Sequence, residues 1–384
     1  MHCLMIDLTD APGAWGKVML ADMAKALSRQ GVAVTAALDA ASAQTAIPAF
    51  LAALEPEQRF LLIDGNCRAN KMIRDPRALR FSFMVDHPAY HIANFVQAST
   101  AMLLGFVDES HLEAADRFGL PFPKLFFPHA GPEPDSAPEP IRDRPIDLLI
   151  SASLEDPLSD AAWRAANPGV PEIVASALLD AADQLSTTLT TCLAAWDDAC
   201  RRRGFDHRAA LTIATLCQII ATIERIASAR RRQHVLAGLP EALAIHVVTP
   251  KLPAYLAGHP GLVSHGPAPF STVIGLMKHS KILVNCLAKY SRGSHERIWY
   301  AMAAGCVVAT DQSRFLERDF SHRYNILFLP WGPDQQAFRH DLVNLVRNSS
   351  QLTAIHYAAM PIYARHHSWD QRVEPLVALL RQAS

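Results

Sequence analysis

Apolar runs alternate along the first third of the chain with stretches whose apolar positions recur at helical spacing. Cys3 to Leu8, Val32 to Ala37, Phe60 to Asp64, Arg80 to Val85, Ala101 to Val107 and Lys124 to Phe127 read as strands. Lys17 to about Gln30 reads as a helix stopped by Gly31, and Pro48 to Leu54 as a short helix with its proline in the first turn, where a missing N–H costs nothing. Strands separated by helices predict parallel pairing through crossovers, hence a doubly wound domain over residues 1–132.

The pattern breaks at GPEPDSAPEPIRDRP, residues 131–145. Proline-dense polar sequence does not pair inside a sheet, so 133–145 reads as a linker. Beyond it, Ile146 to Ser151, Ala244 to Val248, Ile282 to Asn285, Cys306 to Thr310 and Ile326 to Leu329 predict a second Rossmann-like α/β domain over 146–366. A helical insertion fills about 171–238, and the chain closes in helices, the last within 367–384 and expected to pack back on the first domain. The insertion carries two arginine triplets, Arg201 to Arg203 and Arg230 to Arg232. Both read as solvated helix faces or ends, with contact to an acidic acceptor or partner as the alternative.

Length and composition add limits. A chain of 384 residues exceeds one ordinary hydrophobic core, and 50% hydrophobic with 19% charged residues is enough to bury two. The net charge of −1 gives no field that would draw nucleic acid or an anionic membrane, so an anionic ligand has to be met locally. The opening MHCLMIDLTD lacks a basic leader, and the apolar stretch Ala209 to Ile223 is interrupted and too short to span a bilayer; a cytoplasmic location is expected. The seven cysteines show no zinc spacing, and the adjacent His366 and His367 point apart on a helix, so no metal centre is expected.

The most informative stretch is Val263 to Phe320. Ser294 reads as the N-cap of a helix that ends at Gly305; its first amides and dipole make a site for a diphosphate, and Arg297 sits one turn inside. At another strand end, Ser151-Ala152-Ser153 is small enough to let a diphosphate reach the backbone, or is a plain turn. In the first domain Asp86 and His87 end a strong strand, where either could take a proton, although Asp86 also fits a helix N-cap. His129, at the end of the last strand, fits a cleft or a hinge hydrogen bond. The turn with Gly13, Trp15 and Gly16 could approach an acceptor, Trp15 stacking on a sugar or simply packing; it is no G-x-G-x-x-G, so no NAD is inferred.

The segment GSHERIWYAMAAGCVVATD, with His265-Gly266-Pro267 and the run Ser280 to Asn285 upstream, resembles the donor-binding region of family 1-like glycosyltransferases, including the spore-maturation type. The resemblance implies two Rossmann-like domains in the GT-B arrangement and a nucleotide-sugar donor held mainly by the C-terminal half. It implies donor contacts at His265, Gly266, Ser294, His295, Glu296, Arg297 and Tyr300, a carbohydrate or protein acceptor, and no metal or other cofactor. Retaining members carry two glutamates separated by seven residues; here Arg292 and Tyr300 stand in those places, which points to inversion and leaves Glu296 for the ribose. Two other readings stay open: a non-hydrolysing sugar-nucleotide epimerase, and an inactive protein binding a nucleotide sugar or a partner.

Overall fold

The computed structural model describes residues 1–7, 15–68, 73–95, 102–134, 136–286, 288–332 and 335–383. The chain divides into two units: Met1–Pro134 with Pro269–Thr272 and Pro361–Ser384, and Asp135–Ala268 with Val273–Met360.

The first unit is a six-stranded parallel sheet ordered β2-β1-β3-β4-β5-β6. Its strands are β1 His2–Ile6, β2 Ala33–Ala37, β3 Phe60–Gly65, β4 Ala78–Met84, β5 Met102–Phe106 and β6 Lys124–Phe126. Central β1 and β3 are apolar at nearly every position because both faces are covered, while edge strand β2 is buried only at Ala37. The helix Trp15–Arg29 follows β1 and ends at Gly31, whose φ of +78° suits glycine alone. The expected Pro48 to Leu54 helix is part of a longer one, Ala40–Ala52, with Pro48 inside it. Asp39 starts it with a capping box: its carboxylate accepts the Ser42 N–H at 2.7 Å while the Ser42 hydroxyl accepts the Asp39 N–H at 3.2 Å.

The closing helix Trp369–Ala383 belongs to this unit and packs along Trp15–Arg29. Arg29 forks onto Asp370 at 2.7 and 2.8 Å, Arg381 donates to the Gln30 carbonyl at 2.8 Å, and Gly131 pairs with Ser368.

The second unit is also a six-stranded parallel sheet, ordered β12-β11-β10-β7-β8-β9. Its strands are β7 Ile146–Ser151, β8 Ile245–Val248, β9 Leu262–Ser264, β10 Ser280–Asn285, β11 Val307–Asp311 and β12 Leu327–Leu329. Between β7 and β8 the expected insertion appears as Glu172–Thr187, Cys192–Arg202, His207–Ala210 and Ile213–Leu236. Ile220 and Ile223 of the last helix are fully buried, each contributing about 1.5–3 kcal/mol by leaving water.

Two expectations change here. Residues 136–145 are not a free linker: Ile141 enters the core of this unit, and the Arg144 guanidinium is buried, donating to the carbonyls of Glu139, Ser280 and Ala304 at 2.9, 2.9 and 3.1 Å. The second arginine triplet is not solvated either, since Arg231 is 0% exposed and Arg232 is buried. The first triplet is as expected, with Arg201 and Arg202 exposed.

Candidate functional site

In a parallel sheet all strands end on one edge, and the loops there gather the functional groups. At that edge of the second sheet β7 runs out through Ser151 into Ser153, whose carbonyl accepts Arg232 Nη1 at 2.8 Å. The next amide, Leu154 N–H, donates to Thr249 Oγ1 at 3.1 Å, which ties this loop to the end of β8. β11 ends at Asp311, whose Oδ1 accepts Nε and Nη2 of Arg231 at 2.9 and 2.6 Å; Arg231 also donates to the Pro330 carbonyl at 2.9 Å.

The helix expected from Ser294 is Glu296–Ala303, and His295 is its N-cap. The shift has a local cause: the Trp299 indole, fully buried, donates to Ser294 Oγ at 3.0 Å and occupies the hydroxyl. His295 Nδ1 then accepts the Arg297 N–H at 3.3 Å, so the protein's own imidazole takes one of the first-turn amides. The same ring lies 3.0 Å from Glu296 Oε2 and 3.1 Å from Arg297 Nε, between an acid and a base. Tyr300 is 1% exposed, which places it in the core rather than among donor contacts, and Glu296 is buried as well. Gly293 is pinned by Ser313 Oγ on its carbonyl at 2.8 Å.

Arg297 and Arg232 are neighbours. Burial pulls Arg297 down to about 10, with the charge of Arg232 adding to the effect and that of Glu296 opposing it. Burial lowers Arg232 too, and its Nε has no hydrogen-bond partner among the described residues. Both guanidiniums stay charged at neutral pH. A buried and a half-buried cation within reach of each other carry an electrostatic cost that Glu296 offsets in part and a bound anion would offset further. His265 and Gly266 follow β9: His265 Nε2 lies 3.0 Å from His246 Nδ1, and the Gly266 carbonyl accepts the Thr249 N–H at 3.2 Å with φ at +65°.

In the first unit the end of β4 brings Asp86 and His87 to the sheet edge in different states. His87, not Asp86, is the cap: its Nδ1 accepts the Ala89 N–H at 3.1 Å, and it is buried against His111, ring centroids 4.8 Å apart. Asp86 is a third exposed and has Asn66 Nδ2 at 3.3 Å and His91 Nε2 at 3.4 Å. Asn66 and Cys67 both sit at positive φ, +55° and +58°, and Asn66 Oδ1 accepts the Val85 N–H at 3.0 Å, so the turn after β3 is held in a costly shape against the end of β4.

His129 does not line an opening: it is 1% exposed, its ring edge-on to Phe83 at 5.5 Å. Gly16 lets its helix start against Asp7, because a Cβ there would come within 2.8 Å of Asp7 Oδ2. Gly13 and the Trp15 side chain lie outside the described residues. The sequence reading missed Arg232, Asn66 and His91. For its neighbour Arg231 a signal existed: Ile223, Ala227 and Arg231 share one helical stripe, and the first two are apolar.

Residues 224–378 match the family described as glycosyl transferase-like. That match takes in 155 of the 384 residues, and over this segment the chain is similar to that family. Solved structures share its two-sheet frame, the GT-B fold. Sucrose-phosphate synthase from Thermosynechococcus elongatus is 9% identical with a TM-score of 0.53, over 100% of this chain and 99% of that one. Anabaena HepE in complex with UDP-glucose is 13% identical, TM-score 0.52, over 100% of both chains. An alpha-glucosyltransferase in complex with UDP and a 13-mer DNA containing an A:G mismatch is 9% identical, TM-score 0.54, over 99% of both. At these identities the likeness is one of fold. No curated protein matches this sequence.

Proposed function

We propose that this glycosyltransferase moves a sugar from a uridine-diphosphate donor to a carbohydrate or protein acceptor, with inversion and without a bound metal. One observation carries the reading: Arg232, buried and tied to the Ser153 carbonyl, and Arg297, half-buried and within reach of the Arg232 charge, sit at the loop edge of the second sheet. As the glycosidic bond breaks, negative charge grows on the leaving diphosphate, and the two guanidiniums neutralise it in a medium where each contact is stronger than in water. The uridine assignment draws on the UDP and UDP-glucose held by structures of the same fold.

Asp86 takes the acceptor's proton in this reading, with Asn66 and His91 orienting its carboxylate and His87 holding the turn. The reading of inversion is supported by the lack of the paired glutamates, whose places are taken by Arg292 and the buried Tyr300. Among the described residues no helix is long and apolar enough to cross a membrane, and a cytoplasmic location is part of the same proposal.

The test is nucleotide release with a panel of UDP-, GDP- and dTDP-sugars and oligosaccharide or peptide acceptors, with NMR of the product anomer. Turnover with UDP-sugars, inverted product, and loss of about a hundredfold in kcat/KM for Arg297→Ala are expected. Undiminished turnover in that variant, or no turnover with any donor, overturns the proposal.

A further inference from the structure

The opposite edge of the second sheet, where strands begin, holds a separate cavity of about 460 Å³. Its floor is Arg144, two residues before β7, clamped by the carbonyl of Ser280 at the start of β10 and that of Ala304 just before β11. Gly305 completes the floor with φ at +79°; a Cβ there would lie 2.5 Å from Arg144 Nη2 and 2.7 Å from Pro138, so only glycine lets the chain close against it. Parallel strands put this floor a strand's length from the Arg232 and Arg297 pair, roughly 17–20 Å for a typical strand.

Three further features of the lining fit a ligand. His356 is 8% exposed and its Nδ1 has no hydrogen-bond partner among the described residues. Burial, with the Arg144 charge beside it, brings His356 down to about 4, so the ring is neutral at physiological pH and suited to a hydroxyl. Tyr357 is 68% exposed at the rim, an aromatic face turned to solvent. Ser349 and Ser350 open the 18-residue helix Ser349–His366, whose positive end lies beside the Arg142 guanidinium, exposed and 3.5 Å from Asp143 Oδ2 in a solvent-facing pair. The one carboxylate in the lining, Glu139, is engaged 2.8 Å from His279 Nδ1. A neighbouring cavity of about 290 Å³ shares Arg142 and Ser349 and adds Arg347.

We propose that this edge binds a phosphorylated sugar: the phosphate on Arg142 and the first turn at Ser349, the ring on the face of Tyr357, and a hydroxyl on His356. An anion and a sugar ring are both needed to use the whole lining, since phosphate alone leaves the Tyr357 face uncovered and a neutral sugar leaves Arg142 with only its exposed Asp143 pair.

Calorimetric titration of the full chain with glucose 6-phosphate, inorganic phosphate and glucose reads binding without turnover. Saturable binding of the sugar phosphate is expected, with each of the other two at least about tenfold weaker. Arg142→Ala and Tyr357→Ala should each weaken it by about tenfold, Tyr357→Phe should restore it, and Arg297→Ala should leave it unchanged. Both side chains are surface-exposed, and thermal unfolding checks that the variants fold. Binding that disappears in Arg297→Ala and survives in Arg142→Ala assigns the ligand to the donor site and overturns the proposal. So does equal affinity for inorganic phosphate with no effect of Tyr357→Ala, or an absence of saturation.

Discussion

The two arginine triplets, identical in sequence and both on helices of the insertion, meet opposite fates. Arg201 and Arg202 close the helix Cys192–Arg202 and face water; Arg201 pairs with Asp198 at 2.6 Å with three quarters of its side chain exposed. Arg230 to Arg232 lie inside Ile213–Leu236, a helix covered on most of its circumference, and there Arg231 is fully buried on Asp311 and over the Trp331 ring at 4.5 Å. Three consecutive helical residues sweep roughly 200° of arc, so on a helix buried this widely they cannot all reach solvent. A charge run reports a solvated face only where the helix has one.

Arg231→Ala probes the buried side of this contrast and carries the largest expected effect. It takes away both guanidinium hydrogen bonds to the buried Asp311 carboxylate, and breaking a buried pair costs about 3–5 kcal/mol, so denaturant unfolding should show a large loss of stability. A change below 1 kcal/mol would mean that Arg231 is as weakly coupled as its counterpart Arg201.

The same contrast governs a buried histidine. His356 is held near 4 by burial, against 6.5 for a free imidazole. Between those values the unfolded chain binds the proton and the folded chain does not, so stability rises with pH through this window and is lost as pH falls below about 6.5. The loss approaches about 3 kcal/mol by pH 4, and His356→Gln should flatten that part of the curve. An acid limb that is unchanged in the variant would contradict the burial.

Arg232→Ala tests whether the second triplet serves function as well as packing. Its guanidinium is half of the proposed diphosphate clamp, so kcat/KM should fall by about ten- to a hundredfold. Arg232→Lys should recover only part, since a single ammonium does not reproduce a fork that spans Ser153 and an anion.

The strands themselves were readable because buried parallel strands are continuous apolar runs, as in β1, β3 and β10. What escaped was decided by competition for single partners. Ser294 and His295 are both competent caps, and the demand of the Trp299 indole settled the matter; Asp86 and His87 shifted by one residue in the same way. β9, three residues long and half exposed at an edge, has no periodicity to find. The helix read as starting at Pro48, a position proline favours, is capped further upstream by Asp39 and Ser42 and accommodates Pro48 inside, where helices tolerate it poorly. For the site, Arg297 followed from its helix, but Arg232 needed knowledge of which face the insertion covers.

The smallest effect closes the comparison. Arg201→Ala removes one surface pair, in which the Asp198 carboxylate keeps a second donor, Gln184 Nε2 at 3.3 Å. Asp198 is held below the usual carboxylate range by that Gln184 contact first and by Arg201 second, so losing the arginine leaves much of the cause in place. The change in stability should stay within about 0.5 kcal/mol, and kcat/KM should not move. A triple variant of Arg201 to Arg203 that abolished transfer while leaving the fold intact would reverse the assignment, making the exposed triplet the functional one and the buried triplet merely structural.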